Sequence, residues 1–218
     1  MPTLSEENYL KTIYHLSRQS TDKVSVKGIA DGLSNNPASV IDMLKKLTDK
    51  KLLQYDKFRG AKLTEKGLKI ALYVVRKHRL WEVFLLEKLG YKWDEIHEIA
   101  EQMEHIKDEE LVERLDKFLG FPEYDPHGDP IPKSNGQLPT TVKTLLSEIE
   151  VGKTCRVAAV KDTSAIFLQY LLQLSVSIGT KIKVIDKILF DGSMNIQIGK
   201  DIKTIVSKKF ADSLLVEL

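Results

Sequence analysis

The sequence predicts a mainly α-helical α+β protein, with a winged helix-turn-helix at the N terminus, a helical middle segment and a small β-barrel at the C terminus. Three observations predict it. Within the first 64 residues, helical apolar stripes and a polar turn lead into an alternating hairpin. Period-3.6 patterning then dominates residues 65–120, and short β-branched runs fill residues 141–218.

The elements follow in order. Leu10, Ile13, Tyr14 and Leu16 form a helical stripe from about Ser5 to Arg18, and Thr3 with Glu6 fits a capping box. Asp22 and Lys23 break that pattern, after which Val26, Ile29, Ala30 and Leu33 mark a short second helix. The polar run Ser34, Asn35, Asn36 is a tight turn. Asn36 as N-cap and Pro37 at the first helical position start a third helix, because the cap oxygen satisfies a free backbone N–H that proline does not have to supply. Its inward stripe is Val40, Met43, Leu44 and Leu47, which leaves Ser39, Asp42, Lys45, Lys46 and Asp49 facing out. LLQYDKFRGAKLT reads as a hairpin with a polar tip at Lys57 to Gly60.

A long helix runs from Thr64 as cap to about Leu89, ended by Gly90; Asp94 opens another from Glu95 to about Lys107, and Asp108 a third to about Leu119. Five prolines and two glycines between Phe121 and Pro139 make a linker over residues 121–140. The expected divisions are therefore 1–64, 65–120, 121–140 and 141–218. In the last of these, CRVAAVKD, KIKVIDKI, MNIQIG, KTIVS and SLLVEL read as five strands of a barrel, with a short helix from Ala165 to Leu174 capped by Ser164.

Net charge is only +2, but it is segregated: residues 1–64 carry +4, residues 65–136 carry −5 and residues 137–218 carry +3. A basic N-terminal segment suits a polyanion, and an acidic middle suits cations. No stretch reaches the ~20 consecutive apolar residues of a membrane span. The start, MPTLSEENYLKTIY, carries acids where a secretory signal has basic residues, and Cys155 is the single cysteine, so a reducing cytoplasmic location is expected. No Ser/His/Asp set, Gly-rich phosphate loop or CxxC pair appears, which argues against an enzyme.

Two constellations carry chemistry. His97, Glu101, Glu104 and His105 are spaced to share one strip of a helix, and His78 and Glu82 are four apart on the preceding one. Such oxygen-rich donors with a minority of imidazole suit Mn²⁺ or Fe²⁺ better than a thiolate-type zinc site. A salt-bridged surface is the alternative. A di-metal carboxylate enzyme is disfavoured, because only one helix approaches the Glu-x-x-His pattern such bundles use twice. Asn36, Pro37, Ala38, Ser39, Asp42, Lys45 and Lys46 lie where a recognition helix meets the major groove, and Lys57, Arg59 and Lys62 where a wing meets phosphate. Asp42 opposes this unless it accepts from a cytosine amine. Trp81, Phe84, Leu85 and Leu89 suit either a core or the seam of a homodimer reading two half-sites.

SEENYLKTIYHL, the Asn36–Lys51 helix, RKHRLWE at 76–82, EQMEH at 101–105, HGDPIP at 127–132 and the β-rich C-terminal part together resemble, over nearly the whole chain, the diphtheria-toxin-repressor and manganese-transport-regulator family of metal-dependent repressors. The resemblance implies a helical metal-binding and dimerisation domain, an SH3-like (FeoA-like) C-terminal barrel, a homodimer on a double-stranded operator, and repression with a divalent cation as corepressor. It further implies a primary metal site from Asn8, Glu101, Glu104 and His105. A second site is implied from His78 and Glu82, with His97 or Asp125 and with Asp162 of the last domain. Glu101 stands where iron-type members have Cys, which tilts the choice to Mn²⁺ over Fe²⁺. Asn8 and Lys11 stand where manganese-type members have acids, and Ser164 and Phe167 where the C-terminal carboxylate and amide ligands are expected. On this reading the metal-free carboxylates repel one another, and the cation selects the recognition-helix spacing that fits DNA.

Overall fold

The computed structural model describes residues 2–19, 23–140 and 142–218, and the chain folds as two compact units. Unit 1 comprises Met1–His78, Glu101–Leu115 and Pro132–Leu138; unit 2 comprises Arg79–Ala100, Asp116–Ile131 and Pro139–Leu218.

Unit 1 opens with α1 (Leu4–Gln19), α2 (Val26–Leu33) and α3 (Pro37–Asp49), then the hairpin of β1 (Leu53–Asp56) and β2 (Gly60–Leu63). The capping box forms as expected: the Thr3 N–H donates to Glu6 Oε2 at 3.0 Å, and the Glu6 N–H to Thr3 Oγ1 at 3.4 Å. The break expected at Asp22 lies outside the described residues. Asn36 Oδ1 accepts from the Ala38 N–H at 2.8 Å, starting α3 where the sequence places it. Leu10, Ile13, Ile29, Val40, Leu44, Leu47 and Leu53 are sealed in one core, so the three helices and the hairpin are a single packing unit. Val24 joins the hairpin through paired hydrogen bonds with Ala61. Only glycine fits beside it, because a Cβ on Gly60, at φ +78°, would lie 2.5 Å from the Val24 oxygen.

The long helix α4 (Glu65–Glu87) starts at Thr64, whose Oγ1 accepts from the Gly67 N–H, and α5 (Ile96–Met103) and α6 (Glu109–Phe118) follow. The sequence expects α5 to reach about Lys107. It stops at Met103, with the Ile106 N–H turned back onto the Met103 oxygen, because the fully buried Glu104 turns inward to tertiary partners that outweigh another helical turn.

Unit 2 is built on an antiparallel sheet. Its strands are β3 (Thr144–Leu145), β4 (Thr154–Val160), β5 (Lys181–Lys187), β6 (Met194–Ile198), β7 (Ile202–Val206) and β8 (Leu214–Glu217). They pair in the order β3-β8-β4-β5-β6-β7, which corrects the expected five-stranded closed barrel: among the described residues β3 and β7 end an open sheet of six. Alternation assigns side chains to faces, but whether the end strands meet is a non-local matter that it does not encode. α7 (Ala165–Gln173) is capped by Ser164 as expected, and α8 (Lys208–Asp212) is an addition. The proline-rich stretch is not a slack tether. It holds a compact turn in which Asp125, His127 and Ile131 are buried, since proline forbids a helix or central strand but not a tight turn. No helix among the described residues is long and apolar enough to cross a membrane.

Candidate metal centres

The groups expected to meet DNA are displayed on unit 1. Asn36, Pro37, Ala38, Ser39, Asp42 and Lys45 are exposed on the start and outer face of α3, with Asp42 beside Lys45 at 3.5 Å. Lys57 and Arg59 are exposed at the hairpin tip, a turn pinned by Asp56 Oδ1 accepting from the N–H groups of Phe58 and Arg59. Lys46 has another commitment: it and Lys50 reach the fully buried Glu6, at 3.0 and 2.7 Å. Burial pushes the Glu6 carboxyl up, yet Lys50, the Thr3 N–H and Lys46 together draw it from its ordinary 4.5 down to about 2. A depressed folded value means that this carboxylate stabilises unit 1 fully above about pH 4.5 and stops doing so as pH falls through about 2. Urea midpoints between pH 5 and 2 are therefore expected to drop more steeply for the wild type than for Glu6→Gln, which starts lower.

The first cluster lies within unit 1, where α1 faces the segment at the end of α5. Lys11 Nζ donates to Glu101 Oε1 at 2.5 Å and to Glu104 Oε1 and Oε2 at 2.6 and 2.8 Å. His78 Nδ1 lies 2.6 Å from Glu104 Oε2 and 3.8 Å from Glu101 Oε1. His105 Nδ1 is 2.7 Å from Glu7 Oε2, with its Nε2 3.6 Å from Glu104 Oε1. Asn8 Oδ1 is buried without a hydrogen-bond partner. Two imidazoles and three carboxylates fit a hard divalent cation, and the orphaned Asn8 oxygen, next to Glu7 on α1, is a further hard donor.

Several expectations change here. Glu104 and His105 sit beyond the helix end, so the anticipated single helical strip does not exist. His78 Nδ1 is within reach of Glu104 and Glu101, partners that the sequence did not give it, and one turn on along α4 the Glu82 carboxylate meets Asp125 and His127. The Lys11 ammonium lies between the Glu101 and Glu104 carboxylates, a screening of their repulsion that the sequence did not show. Sequence reasoning missed Glu7. Its spacing of four before Lys11 on α1 was the available signal.

The second cluster lies within unit 2. Ligand atoms of Glu82, Asp125 and His127, all buried, fall within 4.8 Å of one another. His97 Nδ1 joins Glu82 at 3.2 Å. Asp125 Oδ1 accepts from the N–H groups of His127 and Asp129, at 2.8 and 2.9 Å, which fixes the turn, and Arg79 Nε approaches Oδ2 at 3.3 Å. Burial first, then the Glu82 charge, pushes the Asp125 carboxyl up to about 7 against the pull of Arg79. His127 stacks on Trp93, with centroids 5.7 Å apart, and its Nε2 is buried without a partner. Its Nδ1 lies 3.7 Å from Glu82 Oε2, so an imidazole nitrogen and two buried carboxylates gather where a cation could be held. Asp162 is not in this group; its Oδ1 accepts from the Ser164 N–H before α7. Sequence reasoning missed His127 as a candidate ligand, although its position two residues after Asp125, in a turn framed by prolines, was visible.

Comparison with known proteins places this geometry. Residues 1–61 match the iron-dependent repressor N-terminal DNA-binding domain, 64–133 the iron-dependent repressor metal-binding and dimerisation domain, and 144–218 the FeoA domain. A solved "manganese-dependent transcriptional repressor complex with manganese" is 34% identical, with a TM-score of 0.88 over 97% of this chain and 98% of that one. The manganese regulator SloR is 37% identical, with a TM-score of 0.78 over 97% of each chain. The iron-dependent repressor IdeR of Mycobacterium tuberculosis is 36% identical over 126 residues, or 58% of this chain and 54% of that protein. The aligned part thus spans about half the length of that curated relative. All three segments of the family occur in family order along one chain, and the chain belongs to the iron-dependent repressor family of metal-dependent transcriptional regulators.

Proposed function

We propose that this protein represses transcription by binding an operator in double-stranded DNA as a homodimer, with Mn²⁺, or alternatively Fe²⁺, as corepressor. The observation that carries the reading is the convergence of Glu7 and Lys11, on the first helix of the DNA-reading module, upon His105, Glu101 and Glu104, with His78 on Glu104. A divalent cation held by Asn8, Glu101, Glu104 and His105 would supply one positive centre shared by both elements. Glu7 orients His105 through Nδ1, and His78 holds Glu104, so the donor set is largely preorganised. Cys155 is buried in the C-terminal sheet and enters neither cluster, which supports a hard cation over a thiolate-bound one. Glu82, Asp125 and His127, with His97 beside them, form a second cation site. Exposed Leu89, Phe118 and Phe121 at the ends of α4 and α6 form the seam for a second copy, and Trp81 and Leu85 are buried beneath as core.

One observation favours a second reading, a metal-independent winged-helix protein with a structural His/Glu network. The Lys11 ammonium already bridges Glu101 and Glu104. One experiment separates the two: duplexes selected from a random pool are tested by mobility shift at fixed ionic strength, with and without Mn²⁺ or Fe²⁺. The metal-dependent reading expects affinity to rise by about tenfold or more with cation, and His105→Ala to erase the rise. Equal affinity with and without cation in the wild type would establish the second reading.

A further inference from the structure

Three features of Lys11 bear on the site. It is buried, at 8% exposed, as among the described lysines only Lys77 also is. Its ammonium donates to three carboxylate oxygens of two glutamates, all within 2.8 Å. Those glutamates are two of the donors assigned to the cation, and among the described residues the ammonium makes no salt bridge or hydrogen bond to another carboxylate. Charge and location together make the lysine an occupant of the site, not a neighbour of it.

We propose that Lys11 is the protein's own resident cation: its ammonium holds Glu101 and Glu104 until it is withdrawn, and it thereby sets the threshold a divalent ion must exceed to be bound. The inference rests on the metal reading above and adds a mechanism to it. An ammonium and a divalent ion cannot share the same carboxylate oxygens, because two like charges about 4 Å apart repel strongly where water is scarce. Lys11 must therefore rotate out. Its four-carbon stem permits this without moving α1, and the ammonium regains hydration on leaving. The exchange has two consequences. The carboxylates are already gathered in the metal-free protein, so little is spent on overcoming their repulsion. The affinity of the site is lowered by the cost of breaking the lysine bridge, so a weakly bound or scarce ion fails to load it.

The test is a Mn²⁺ titration of the full-length protein against a competing chelator, with Glu101→Gln identifying the binding step that belongs to this site. Lys11→Met and Lys11→Gln are each expected to bind at that step about tenfold more tightly or better, while melting at a lower temperature than the wild type without metal. Lys11→Arg, which keeps the charge, is expected to show no gain. Lys107→Met, which removes an exposed lysine two residues from His105, is expected to change affinity less than about twofold. If Glu101→Gln removes a step but the neutral Lys11 variants bind equally or more weakly there, Lys11 is a scaffold, the proposal is overturned, and the metal reading stands. If neither the wild type nor the Lys11 variants show a step sensitive to Glu101→Gln, both fall. A step that only the neutral variants show would support the proposal in its strongest form.

Discussion

Glu104→Ala is expected to lower the stability of unit 1 by about 3–5 kcal/mol, the cost of leaving one member of a buried ion pair alone. The side chain is fully buried, and its two oxygens serve the Lys11 ammonium and His78 Nδ1. Alanine strands the lysine beside the half-exposed Glu101 and opens a void where the carboxylate stood. Against a typical total of about 5–15 kcal/mol, this is a large fraction of what keeps the unit folded. The urea midpoint of the metal-free protein measures it. Glu104→Gln keeps the shape and one acceptor, so it is expected to lose less. A wild-type midpoint for Glu104→Ala would mean that the lysine finds water or another partner at no cost, and the network would then be ornamental.

Gly128→Ala is expected to be the most damaging single-methyl substitution in unit 2. Gly128 adopts φ +83°, and a Cβ there would sit 2.1 Å from the Ala158 oxygen and 2.7 Å from the Ala159 Cα, both on β4. The clash is with backbone, so no rotamer relieves it. Backbone strain alone costs about 1–3 kcal/mol, and displacing the turn from β4 adds to it. The same turn carries Asp125 and His127, and the His127 oxygen accepts from the Val160 N–H at 2.9 Å, so cation binding at the Glu82 cluster is expected to fail with it. Gly152→Ala is the control: φ is +85°, but nothing lies within 4 Å of the added methyl. It should cost only the conformational part, about 1–2 kcal/mol. Equal losses for the two variants, read from thermal melts and Mn²⁺ titrations, would show that close approach to β4 is not what Gly128 provides.

Local rules carried the sequence reading a long way. The capping box at Thr3 and Glu6, the Asn36–Pro37 start of α3, the hairpin tip and the Ser164 cap each depend on residues within a few positions of one another, and each stands where periodicity and turn chemistry put it. The residue types of the metal clusters were legible for the same reason, since His and Glu four apart on a helix must share a face. What the sequence left open was which face meets what. Glu104 and His105 were assigned to a helix that ends before them, because the pull on Glu104 comes from Lys11, 93 positions away. The spacing of His78 and Glu82 gives no hint that Glu104 meets the first and Asp125 and His127 the second, because those neighbours come from distant segments. His127 is not legible because the prolines around it predict a linker, whereas the turn it sits in is set by packing against β4.

The order of the elements, their caps and the chemical character of each segment were thus determined by the sequence alone, because propensity, capping and charge are short-range. The open form of the sheet, the gathering of the clusters and the placement of an ammonium between Glu101 and Glu104 were decided by the tertiary structure. Each is a long-range pairing: strand order follows which backbones meet, and the clusters follow how buried charge can be satisfied once the helices have packed.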